Sequence, residues 1–209
     1  MISPASNCPK CHHRLRFLDL FPLFSYLFLR GRCRYCGKKI SIRYPLVELF
    51  SALIFSFSYI KFGLTLGFAA YLIFFALLLI ISFIDIETMM IPDFLILTGI
   101  FFGVAYSIYT GKLPDMFSGV CAGFVFMYSS ASLGRLFFKK EAMGEGDIKL
   151  IVMIASYVGL MGTFVSIFSA SVIGAIAGVA MLLLGKIKRD DQIPFGPFLA
   201  LGALIAVML

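Results

Sequence analysis

The sequence predicts an all-α fold: a polytopic membrane helix bundle of about seven transmembrane helices, preceded by a short cysteine-bearing N-terminal segment. Three observations carry that expectation. Of the 209 residues, 61% are hydrophobic and 14% are charged, whereas a soluble domain carries roughly 45–50% apolar and about 25% charged residues. The apolar residues fall in runs close to the roughly 20 residues that a helix needs to cross a bilayer. Sixteen of the 18 Lys and Arg residues lie outside those runs.

The chain divides at about residue 44. Residues 1–44 are basic and hold four of the five cysteines. Their one apolar stretch, Phe17 to Leu29, contains Asp19 and Pro22, so it reads as an interfacial or packed segment rather than a span. The N-terminus is polar, with no early apolar core, and no cleavable signal peptide is expected. Residues 45–209 hold seven apolar runs. The first, about Pro45–Ile60, opens at Arg43-Tyr44-Pro45, where Pro suits a first helical turn. Leu66–Asp85, Asp93–Tyr109 and Asp115–Phe138 follow, the last two starting after Pro92 and Pro114. Asp147–Gly159 is short. A weak turn, Gly159-Leu160-Met161-Gly162, separates it from Thr163–Leu184. Phe195–Leu209 is the seventh. Gly119 and Gly123 in the fourth run, and Gly174 and Gly178 in the sixth, have the small-residue spacing of close helix packing.

The net charge of +7 does not point to nucleic acid, because loop retention on one side of a membrane explains it. If every run crosses once and residues 1–44 are cytoplasmic, the cytoplasmic side receives 16 of the basic residues and the far side only Lys61 and Lys112. The positive-inside rule favours that orientation. It places Asp85, which closes the second run, on the same side as Asp147, which opens the fifth.

A carboxylate at the edge of a bilayer core is costly and marks function. Two carboxyls about 4 Å apart repel by roughly 4 kcal/mol at an effective dielectric of 20. Repulsion of that size keeps one protonated while the other is ionised, and the pair titrates as a unit. Such a pair can hydrolyse a peptide: the ionised partner takes a proton from water and the protonated one polarises the carbonyl. The glycines of Gly144-Glu145-Gly146-Asp147 let backbone pass close to another chain. The simpler alternatives are that Asp147 caps a helix and Asp85 pairs with a base. Asp93 and Asp115 read as caps after Pro. Lys149 lies off the Asp147 face and takes no role. Cys121, inside an apolar run, reads as buried packing.

Cys8-Pro9-Lys10-Cys11 and Cys33-Arg34-Tyr35-Cys36 are two C-x-x-C knuckles. Four thiolates at that spacing suit one tetrahedral structural Zn²⁺, although the 21 intervening residues slightly exceed the usual 15–20. A reducing cytoplasmic face favours zinc over disulfides. His12 and His13 remain alternative ligands.

Four stretches in order resemble the bacterial type IV prepilin peptidases, GxGD aspartic proteases of the inner membrane. They are the cysteine segment continuing into Arg43-Tyr44-Pro45-Leu46-Val47-Glu48, Ile84-Asp85 to Pro92-Asp93, Gly144-Glu145-Gly146-Asp147-Ile148-Lys149-Leu150, and Ile193-Pro194-Phe195-Gly196-Pro197 to Gly202. The resemblance implies a catalytic dyad of Asp85 and Asp147. It implies cleavage of the positively charged leader of type IV prepilins or type II secretion pseudopilins, after Gly, at the cytoplasmic face of the bacterial inner membrane. Members with the cysteine loop commonly also N-methylate the new terminus with S-adenosylmethionine. They usually carry a further helix before the cysteines, where this sequence has seven residues; S-adenosylmethionine is therefore expected only if methyl transfer is retained. The implied partners are the precursor and the lipid bilayer, with no nucleic acid. A zinc-loop membrane transporter or scaffold with paired intramembrane carboxylates is the alternative.

Overall fold

The computed structural model describes residues 7, 11–14, 24–138, 144–188 and 191–209. Among the described residues seven helices follow one another: α1 (Phe24–Phe28), α2 (Arg43–Phe62), α3 (Leu66–Thr88), α4 (Asp93–Thr110), α5 (Leu113–Phe138), α6 (Glu145–Leu183) and α7 (Gly196–Met208). Five of them, α2 to α6, are long and apolar enough to cross a membrane, and α7 is a shorter apolar helix. The polytopic helix bundle expected from composition is therefore what forms. The chain separates into two compact units, Met1–Phe57 and Ser58–Leu209.

In the second unit, α6 is two helices joined at a break. Gly159 has φ 68° and ψ −167°, a backbone conformation that is essentially restricted to glycine. The chain folds back there: a β-carbon on Gly123 of α5 would lie 2.9 Å from Thr163 Cγ2 and 3.5 Å from Ile151 Cγ1. Both cannot be near one point on a straight helix rising 1.5 Å per residue. The weak turn at Gly159 is thus a true reversal, and the fifth and sixth runs are separate arms.

A broken helix inside an apolar bundle leaves backbone groups without partners, which is expensive in lipid. Side chains from three neighbours meet them. The Leu160 N–H, which in an unbroken helix would bond the Ser156 carbonyl, donates instead to Asp115 Oδ1 at 3.1 Å. The Ser156 carbonyl accepts from the Ser107 hydroxyl at 3.0 Å. The Tyr157 carbonyl accepts from the Tyr71 hydroxyl at 3.1 Å. Asp115 is therefore a cap, as its position after Pro suggests, but it caps the second arm of α6 and not its own helix.

Packing fixes the remaining neighbours. Gly119 approaches the backbone of Gly159 so closely that a β-carbon would sit 2.7 Å from its carbonyl carbon, and one on Gly202 of α7 would sit 2.2 Å from Ser166 O. The first is the close small-residue crossing read from the Gly119 and Gly123 spacing; the Gly202 contact was not read from the sequence. Phe74, Ile81, Met127, Leu150, Ile151, Met153, Ile154 and Leu199 form the fully buried core. Lys61 at the end of α2 donates to the Val207 carbonyl and, at 3.1 Å, to the Met208 carbonyl, closing the C-terminus of α7, where a cation is favourable. Cys121 departs from expectation: it is exposed on α5, because among the described residues that face of the helix meets no neighbour that buries it.

The resulting order places the end of α3, the start of α4, the start of α6 and the start of α7 at one end of the unit. The Gly159 reversal and the α4–α5 turn lie at the other.

Candidate active site

The two aspartates of the sequence motifs come together at that first end. Asp85 sits in the last turn of α3 and is 5% exposed; Asp147 sits in the first turn of α6 and is 8% exposed. The two lie within electrostatic reach of each other.

Each carboxyl lies beside a glycine at a helix start. The Gly196 N–H, in the first turn of α7, donates to Asp85 Oδ2 at 2.9 Å. A β-carbon at Gly196 would lie 2.8 Å from that same oxygen, so no larger residue could present its N–H there without moving the acid. Pro197 next to it suits a first helical turn. Across the site, Gly144, the N-cap residue of α6, lies beside Asp147: a β-carbon on it would be 3.5 Å from Asp147 Oδ2, and the Asp147 N–H returns to the Gly144 carbonyl at 3.2 Å.

The second motif glycine has a separate purpose. A β-carbon on Gly146 would lie 3.0 Å from Ile91 Cβ, so the segment between α3 and α4 lies directly on the residue before Asp147. α3 ends one turn beyond Asp85, where Met89 adopts φ 52° and returns its N–H to the Asp85 carbonyl at 2.8 Å, a left-handed helix close. The α3–α4 turn is thereby directed back over the start of α6.

Two assignments need correction. Asp93 lies in the first turn of α4, but the N-cap is Pro92, which makes no side-chain cap bond. The Asp93 carboxylate instead binds Lys149 Nζ at 2.6 Å. Lys149, given no role from its position on the helix, therefore has a partner 56 residues away. Sequence reasoning also missed Gly196 as a functional residue. Its signal was a glycine directly before the proline that opens an apolar run, which marks close backbone approach as well as a turn.

In the first unit, the Sγ atoms of Cys11, Cys33 and Cys36 lie within 4.8 Å of one another. A tetrahedral Zn²⁺ with bonds of about 2.3 Å places thiolates about 3.8 Å apart, so the cluster could hold a metal ion with little movement. Cys8 lies outside the described residues. Isolated β-bridges flank both knuckles at identical offsets, Asn7 with Arg14 and Arg32 with Lys39. The second knuckle is tightened by Gly37 N–H to Cys33 O and Cys33 N–H to Lys38 O, both 2.9 Å. The ring of His13 lies against Tyr35 at a tilt of 36°, centroids 3.7 Å apart.

Comparison with known proteins gives a consistent result. The family model described as "Bacterial Peptidase A24 N-terminal domain" matches residues 1–62, and that described as "Type IV leader peptidase family" matches residues 72–179. Curated relatives from several bacteria bear the name "Prepilin leader peptidase/N-methyltransferase". That of Pseudomonas aeruginosa is 37% identical over all of this chain and 72% of its own length. That of Aeromonas salmonicida is 35% identical with the same coverage. That of Bacillus subtilis is 33% identical over all of this chain and 83% of its own. No solved structure gives a significant match.

Proposed function

The chain belongs to the type IV leader peptidase family, and on that premise we propose that Asp85 and Asp147 are its catalytic pair. The protein is a prepilin peptidase, a multi-pass membrane enzyme. The observation that carries the dyad assignment is the convergence of two buried carboxyls from the end of α3 and the start of α6, with Asp85 oriented by the Gly196 N–H at the start of α7.

The geometry supports the following chemistry. The ionised carboxyl removes a proton from water as the oxygen adds to the scissile carbonyl carbon. The protonated carboxyl donates to the carbonyl oxygen. The tetrahedral adduct collapses, the proton taken from water passes to the leaving nitrogen, the carbon–nitrogen bond breaks, and one hydroxyl of the adduct returns its proton to the carboxyl that first donated. The substrate is a prepilin or a pseudopilin with a basic leader, cut after Gly on the cytoplasmic side of the bacterial inner membrane. The excess of positive charge on that side favours this orientation. S-adenosylmethionine would supply the methyl group for the second activity in the relatives' names; no residue of this chain is assigned to it.

Cys8, Cys11, Cys33 and Cys36 would hold a structural Zn²⁺, which suits soft thiolate donors. The purified protein should then contain one zinc per chain, and Cys33→Ser should lose it.

The decisive test incubates the purified protein with synthetic prepilin leader peptides and reads the products by mass spectrometry. Cutting after Gly that disappears in Asp147→Asn, with the variant still inserted in the membrane, is the expected result. Uncut peptide with the unaltered protein would refute the assignment. The same spectra report any added methyl group.

A further inference from the structure

Asp147 and Lys149 share a helical turn but not a face, lying about 200° apart around the axis. Lys149 thus points away from Asp85. It lines an apolar hollow with Ile96, Leu97, Ile148 and Val152, where the one other charged lining residue is Asp93. There its Nζ meets Asp93 Oδ1 at 2.6 Å, with the two side chains 48% and 63% exposed. An ion pair this open to its surroundings does little for global stability. Its position suggests a local purpose.

The start of α6 is gripped on both sides of Asp147 by one short segment. Ile91 lies against Gly146, the residue before Asp147. Asp93, two residues after Ile91, holds Lys149, two residues after Asp147. The same segment begins at Met89, whose N–H is bonded to the Asp85 carbonyl at 2.8 Å. A continuous path of backbone and contacts therefore runs from one aspartate to the other. The steric contact sets how closely α6 approaches. The ion pair sets its rotation, because a charge on the far side of the helix resists turning about the axis.

We propose that Lys149 and Asp93 are positioning residues, a clamp that fixes the rotation of the α6 start and so aims Asp147 at Asp85. The proposal rests on the reading of those aspartates as the catalytic pair. Reacting groups must be placed to within a fraction of an ångström, and a misplacement of about 1 Å can cost as much as 10²-fold in rate. Lys149 itself touches no reacting atom.

The test uses the full-length protein in liposomes and a synthetic prepilin peptide with a basic leader, a Gly before the cut and an apolar segment after it. Lys149→Met and Asp93→Asn should each lower kcat about tenfold with KM within about twofold. The double exchange Lys149→Asp with Asp93→Lys should recover most of the lost kcat, which a protein that had merely misfolded would not do. Unchanged kcat in the single variants overturns the clamp. So does a loss confined to KM, which would make Lys149 a substrate contact, and so does a double exchange as slow as the single variants. Asp147→Asn is run in parallel: residual cutting by that variant, or none by the unaltered protein, refutes the dyad and the clamp together. A dead Asp147→Asn beside full-speed Lys149→Met refutes the clamp alone.

Discussion

Asp85 and Asp115 perform the same local act at opposite ends of the second unit. Each comes from one helix and accepts a backbone N–H at the start of another: Asp85 from Gly196 at 2.9 Å and Asp115 from Leu160 at 3.1 Å. In both places a glycine lets the acid come close, with a β-carbon at Gly196 or Gly159 falling 2.8 or 2.0 Å from the carboxylate. What separates them is surroundings. Asp115 is exposed, and among the described residues no second acid is drawn to it; Asp85 is buried and lies within electrostatic reach of Asp147. A carboxylate capping a foreign helix is a structural device. It becomes a reactive one when it is taken out of solvent and a like charge is set against it.

Substitutions at the two ends sharpen that contrast. The largest effect belongs to Asp85→Asn, which should lower leader cleavage by about 10²–10⁴-fold, the usual worth of a general acid or base. Asp115→Asn should leave the rate within about twofold; equal losses at both sites in a cleavage assay would erase the distinction. Next is Gly196→Ala. The added carbon pushes on Asp85 Oδ2, and cleavage should fall by up to about 10²-fold while the melting temperature barely moves. Gly159→Ala should do the reverse in kind: roughly 2 kcal/mol of stability lost to a strained backbone, seen as a lowered thermal midpoint in detergent. Smallest is Asp115→Ala, for which the loss of one cap should cost about 1 kcal/mol, measured the same way.

Much of this arrangement was legible in the sequence, for a physical reason. Helix number and boundaries follow from hydropathy and from Pro and Gly punctuation: α3 starts at Leu66 and α4 at Asp93 as expected, and the weak Gly159 turn is where α6 reverses. Asp85 and Asp147 stood out because carboxylates at the rim of apolar runs need a reason to be there. Lateral contacts were not legible. Asp85 with Gly196, Lys149 with Asp93 and Leu160 with Asp115 join residues 111, 56 and 45 positions apart. They depend on how each helix is rotated about its own axis. Helices that are apolar nearly all round carry little record of that rotation in their sequence. The same ambiguity misplaced Cys121, since an apolar residue in a span can face lipid as readily as protein.

The Gly159 reversal bears on how the chain is made. The groups that satisfy it, Tyr71, Ser107 and Asp115, all lie upstream of it, so the ribosome delivers every partner before the bend that requires them. Chains are built and folded from the N-terminus forward, and a kink that would be intolerable alone in hydrocarbon enters a slot already waiting for it. Reordering the gene so that this hairpin came first would ask the membrane to accept bare backbone with its donors still unwritten.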